Sequence, residues 1–147
     1  MDGQAIAILG LAICVGLCGV GSAFGLYQTG SAASGVLAED PKKFSKVLIL
    51  VVLPATQGIY GFVLAILGMS NIAAITSVGA GWQIFGAAMP LAITGLISGI
   101  YQGKTAVGGI YAIAKNESLS GKLILFPAMV ETYAILGLVI SILLLGA

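Results

Sequence analysis

The sequence predicts an all-α membrane protein of four transmembrane helices, arranged as two duplicated helical hairpins. Three observations carry that expectation: an extreme composition, four long apolar runs, and an internal repeat. The 147 residues are 59% hydrophobic and 7% charged, with a mean hydropathy of +1.14. A soluble domain carries about 25% charged residues. This chain lacks the polar side chains to cover its own surface in water, so its solvent is a bilayer.

The runs span Gln4 to Leu37, Val47 to Ser70, Trp82 to Ala114 and Leu123 to Gly146. Each exceeds the about 20 residues that cross a hydrocarbon core of about 30 Å. The N-terminal MDGQAIAILG lacks the basic flank of a signal peptide, so the first run reads as a retained helix. AEDPKKFSK joins runs one and two, SNIAAITSVGAG joins two and three, and AKNESLSGK joins three and four. All six lysines fall in or toward the first and third connections. The bias of basic residues toward the cytoplasm then puts those two turns inside and both termini on the opposite side. Pro54 removes a backbone donor from the second run and is expected to kink it.

The repeat pairs FGLYQTGSAASG (Phe24 to Gly35) with SGIYQGKTAVGG (Ser98 to Gly109). It also pairs VVLPATQGIYG (Val51 to Gly61) with LFPAMVETYAI (Leu125 to Ile135), Pro54 over Pro127 and Tyr60 over Tyr133. Residues 1–74 form one hairpin and residues 75–147 the other. In that register Gln28 matches Gln102, and Gly58 stands opposite Glu131. Gly21 and Gly25 on the first helix, and Gly95, Gly99 and Gly103 on the third, recur at a spacing that lets helix backbones approach closely in lipid.

Several functions are excluded early. A net charge of +1 gives no footing for nucleic acid. The chain has neither arginine nor histidine, which removes the usual proton shuttle and the commonest metal ligand. No phosphate-binding GxxxxGK[ST] loop is present, so this chain is not expected to hydrolyse ATP, and no organic cofactor is expected. Cys14 and Cys18, one helical turn apart, read as small packing residues.

One residue breaks the fourth run. Glu131 lies in LFPAMVETYAILGLVISILLLGA, where a charge costs roughly 2.5–3.5 kcal/mol on insertion scales. A carboxylate at this depth reads as an ion-carrying group. At 1.5 Å per residue Glu131 sits about 12 Å from the lysine-bearing end, Gln57 about 15 Å and Gln102 about 18 Å, which is one level within the error of a turn. Thr56, Gln57 and Tyr60 fall within one turn of the second helix. Three helices thus offer a carboxylate, two amides, a hydroxyl and a phenol at one depth. Na+ needs several oxygens to replace its water, one carboxylate to balance its charge, and a carbonyl opened at Pro54 can add another. A proton needs only the carboxyl and one acceptor, so the extra amides favour Na+ over H+.

LPATQGIYGF, SGIYQG and FPAMVETYAILGLVISILLL together resemble the proteolipid rotor-ring subunit (K or c) of V-type rotary ATPases, in particular the bacterial Na+-translocating kind. The resemblance covers nearly the whole chain. It implies a ring of identical subunits, with helices one and three inside and helices two and four outside. It implies Na+ ligands at the Leu53 carbonyl, Thr56, Gln57, Gln102 and Glu131, with Tyr60 hydrogen-bonded to the carboxylate. It also implies partners: copies of the chain itself, a stator membrane subunit with an arginine, central-stalk subunits at the cytoplasmic turns, and membrane lipid. The alternatives are the same ring carrying H+, or a small four-helix cation-coupled exporter. Such an exporter would surround its carboxylate with aromatic rings rather than amides. A non-transporting scaffold is a further reading, against which Glu131 argues.

Overall fold

The computed structural model describes residues 1–146. Its helices are α1 (Gly3–Glu39), α2 (Phe44–Val52), α3 (Thr56–Met69), α4 (Val78–Lys115), α5 (Ser120–Leu123) and α6 (Leu125–Leu145). Short 3-10 turns at Leu53–Ala55 and Glu117–Leu119 join α2 to α3 and lead into α5. Four segments are long and apolar enough to cross a membrane: Gly3–Glu39, Pro41–Ala74, Val78–Lys115 and Glu117–Leu145.

The core mixes many small residues with a few large ones such as Leu50, Leu64, Leu91, Ile110 and Ile113, and most other large apolar side chains face outward, as lipid allows. The core holds Ala7, Cys14, Cys18, Ala88, Ala92 and Ala106, while Phe62, Ile66, Phe126, Leu136 and Leu143 lie exposed on the surface. Tails of lipid are as apolar as leucine, so burying large side chains gains little there, and close backbone packing takes over. The glycines make that packing possible. A Cβ on Gly21 would lie 2.6 Å from the Leu96 carbonyl oxygen, and one on Gly99 would lie 2.6 Å from the Gly21 carbonyl carbon. Gly103 packs in the same way on Gly25. The recurring GxxxG spacing of the sequence is therefore the α1–α4 seam. The two cysteines are buried in the core as well.

The turns show matching cap chemistry. Asp40 accepts from Lys42 N at 3.1 Å and Asn116 from Ser118 N at 3.1 Å. The Asp40 and Asn116 amides close the preceding helices on Val36 O and Ala112 O. Lys43 Nζ donates to Ala114 O at 2.6 Å, a cation at the carbonyl end of α4 that ties the first turn to the second hairpin.

Three boundaries differ from the sequence reading. The third helix starts at Val78 instead of Trp82, because Ser77 Oγ accepts from Ala80 N at 3.2 Å and caps it there. The second run begins at Phe44, and at Pro54 it breaks into a 3-10 turn rather than merely kinking. Thr29 Oγ1 on α1 lies 2.9 Å from the Val51 carbonyl oxygen at this break, closer than to the Gly25 and Leu26 carbonyls of its own helix at 3.1 and 3.2 Å. In α6 the proline is in the first turn, where its missing N–H has no helical acceptor to lose.

Candidate ion-binding site

Glu131 lies one turn beyond Pro127 on α6 and faces α3 and α4. Both of its oxygens accept hydrogen bonds. Tyr60 on α3 donates its hydroxyl to Oε1 at 2.5 Å, and Gln102 on α4 donates from Nε2 to Oε2 at 3.1 Å. Gln102 Nε2 also donates to the Pro127 carbonyl at 3.2 Å. Its oxygen accepts from Gln57 Nε2 at 2.7 Å. The second Gln57 N–H goes to Ser98 Oγ at 3.1 Å, and Ser98 donates to the Val130 carbonyl at 3.1 Å. Gln57 and Gln102 are both 0% exposed.

Two donors from two different helices hold the carboxyl group in place. Its countercharge is not supplied by a neighbouring side chain: the one ion pair among the described residues is Lys43 with Asp40. Gln57 Oε1 is buried and has no hydrogen-bond partner. An acceptor without a donor, joined through the Gln102 amide to a carboxyl group that no basic side chain pairs with among the described residues, has the chemistry of a hard-cation site.

Of the residues named from the sequence, Tyr60, Gln57, Gln102 and Glu131 are linked in one hydrogen-bonded chain. Thr56 and the Leu53 carbonyl instead bond to each other, hydroxyl to oxygen at 3.1 Å, at the break beside Pro54. The amide of Gln102 turns its nitrogen, not its oxygen, toward the carboxylate. Sequence reasoning missed Ser98 and the two carbonyls of Pro127 and Val130. Ser98 precedes Gln102 by one turn within the quoted SGIYQG, and that spacing was the available signal.

The matching place in the first hairpin is built differently. Gly58 N donates to Ser22 Oγ at 2.8 Å, and Gln28 Oε1 is buried without a partner. No carboxylate lies there.

A family model describing the C subunit of ATP synthase matches residues 9–68 and again residues 85–144. The chain is 49% identical over 142 residues to the V-type sodium ATPase subunit K of Enterococcus hirae, covering 97% of this chain and 91% of that one. It is 40% identical over 145 residues to the A-type ATP synthase subunit K of Methanocaldococcus jannaschii, covering 99% of this chain and 64% of that one.

Proposed function

The chain belongs to the family of ATP synthase C subunits, and from that premise we propose that it is a membrane rotor-ring subunit of a V-type rotary ATPase whose Glu131 carries Na+. The observation that carries the ion is the buried Gln57 oxygen without a donor, on an amide joined through Gln102 to a carboxyl group without a protein cation. The proposed ligands are Glu131, Gln102, Gln57, Thr56 and the Leu53 carbonyl. Thr56 turns its hydroxyl hydrogen away from the ion and frees the Leu53 oxygen as it does so. Tyr60 holds the carboxylate. The likeness to a sodium ATPase subunit supports Na+ as cargo.

In this reading Na+ and the carboxylate cancel, and the loaded site passes through lipid at low electrostatic cost. At the stator, an arginine in trans stands in for the ion while Na+ leaves, and a second ion reloads the site. Each charge moved against 100 mV costs about 2.3 kcal/mol. ATP hydrolysis belongs to other subunits. The lysine-bearing turns face the cytoplasm and meet the central stalk, and both termini face the other side. The hairpins 1–74 and 75–147 are copies of which only the second has a working site.

Na+ should slow dicyclohexylcarbodiimide modification of the purified protein, with Glu131 as the sole labelled residue. The reagent needs a protonated carboxyl away from water, whereas Asp2, Glu39, Asp40 and Glu117 lie at the terminus or in the turns. Peptide mapping of the label to Glu39 or Glu117 would overturn the assignment. Labelling that responds to pH but not to Na+ would assign the ring to H+.

Gln57→Ala and Gln102→Ala each delete one neutral oxygen and no charge. The Na+ concentration giving half-protection should rise about tenfold in each, from a lost contact of about 1–2 kcal/mol. Unchanged protection in both variants counts against the ligand set.

A further inference from the structure

We propose that Ser98 is a positioning residue that fixes which end of the Gln57 amide faces the ion. The inference rests on the ligand reading of Gln57 and extends it to a residue that touches no ion.

The two ends of a glutamine amide are alike in size and opposite in polarity. Only the oxygen end attracts a cation. Something must therefore hold the nitrogen end away, and Gln57 is fully buried where water cannot do so. Ser98 is 3% exposed, and a hydroxyl has one hydrogen to give. That hydrogen goes to the Val130 carbonyl at 3.1 Å. Toward Gln57 the Ser98 oxygen can then only accept, which it does from Nε2 at 3.1 Å. A reversed amide would set two oxygens against each other at that distance.

Gln102 Oε1 takes the other N–H of Gln57 at 2.7 Å. Two fixed bonds define the amide plane, and with it the direction of the free Oε1. The two anchors differ in one respect. Gln102 is itself tied to the carboxylate of Glu131, which changes partner as ions load and leave. Ser98 is tied to backbone of α6, which does not. Ser98 thus keeps the Gln57 oxygen in place while Glu131 is engaged elsewhere.

The test is a double-mutant cycle on Na+ protection from carbodiimide labelling, using the full-length purified protein. Ser98→Ala should raise the half-protecting Na+ concentration about fivefold to tenfold. In a Gln57→Ala background the same substitution should shift it by less than about twofold, because the amide it orients is gone. Ser98→Cys, whose sulfur accepts weakly, should reproduce the single-variant shift if Ser98→Ala fails to fold. A Ser98→Ala penalty of full size in the Gln57→Ala background would mean that Ser98 acts on the backbone of α6, and overturns the proposal. So does an effect of Gln57→Ala with none from Ser98→Ala. If Gln57→Ala alone changes nothing, the ligand role of Gln57 fails and the proposal fails with it.

Discussion

Glu131→Gln should abolish Na+ binding, with equilibrium uptake of radiolabelled Na+ by the purified protein falling from near one ion per chain to background. The variant keeps the size of the side chain and an oxygen for the Tyr60 hydroxyl, so the helices should still pack. It removes the only charge in the site. Leaving an ion in a buried place without its partner costs about 3–5 kcal/mol, which is more than a hundredfold in affinity. The other carboxylate side chains, Asp2, Glu39, Asp40 and Glu117, lie at the N-terminus, at the end of α1 or in the turns, so none of them takes its place. The first hairpin offers no second carboxylate: Gly58 stands at the matching position, its amide bonded to Ser22. An uncompensated Na+ beside Gln28 would be far costlier than a paired one. Fewer sites per unit of ring means fewer ions per turn, so one ATP works against a steeper gradient, which suits a pump better than a synthase. Binding near two ions per chain, or binding that survives Glu131→Gln at full strength, would sink this account.

The fold was legible because lipid leaves few options. Runs of more than about 20 apolar residues have to satisfy their backbone internally, and a helix is the one local way to do it. Boundaries were less legible where short polar or small residues obscured the pattern. Gly79 and Gly81 hid the first turn of α4, although Ser77 caps it and Gly81 packs on Gly3. Ser45 and Lys46 likewise hid the start of α2.

Glu131 announced itself as the lone charge of its helix, and helical rise alone put Gln57 and Gln102 near its level. Rise does not encode polarity, however. Which end of each amide meets the carboxylate depends on proton accounting across three helices, and that accounting runs through the carbonyls of Pro127 and Val130. Main-chain acceptors carry no residue-type signature. Ser98 was inconspicuous for a related reason: among so many small residues at the α1–α4 seam, a serine reads as another packing residue until its partners are known.

The seam itself gives the largest expected effect on stability. Gly99→Ala should destabilise the protein and reduce ring retention. An added Cβ would meet the Gly21 carbonyl carbon at 2.6 Å, its oxygen at 2.9 Å and Ser22 N at 3.0 Å. All three are backbone atoms, so no side chain can rotate away, and α1 has to move off α4. Overpacking typically costs about 1–3 kcal/mol, and rigid surroundings put this case at the upper end. The movement also reaches the site, because Ser98 and Gln102 flank Gly99 on α4 and Ser22 follows Gly21 on α1. Gly121→Ala is the matched control. It lies in α5, where nothing comes within 4 Å of an added Cβ, and in a helix the exchange is favourable by up to about 1 kcal/mol. Thermal unfolding in detergent, followed by circular dichroism, and native electrophoresis of the assembled species should separate the two variants. Equal stability of Gly99→Ala and Gly121→Ala would mean that the α1–α4 contact is looser than the glycine spacing requires.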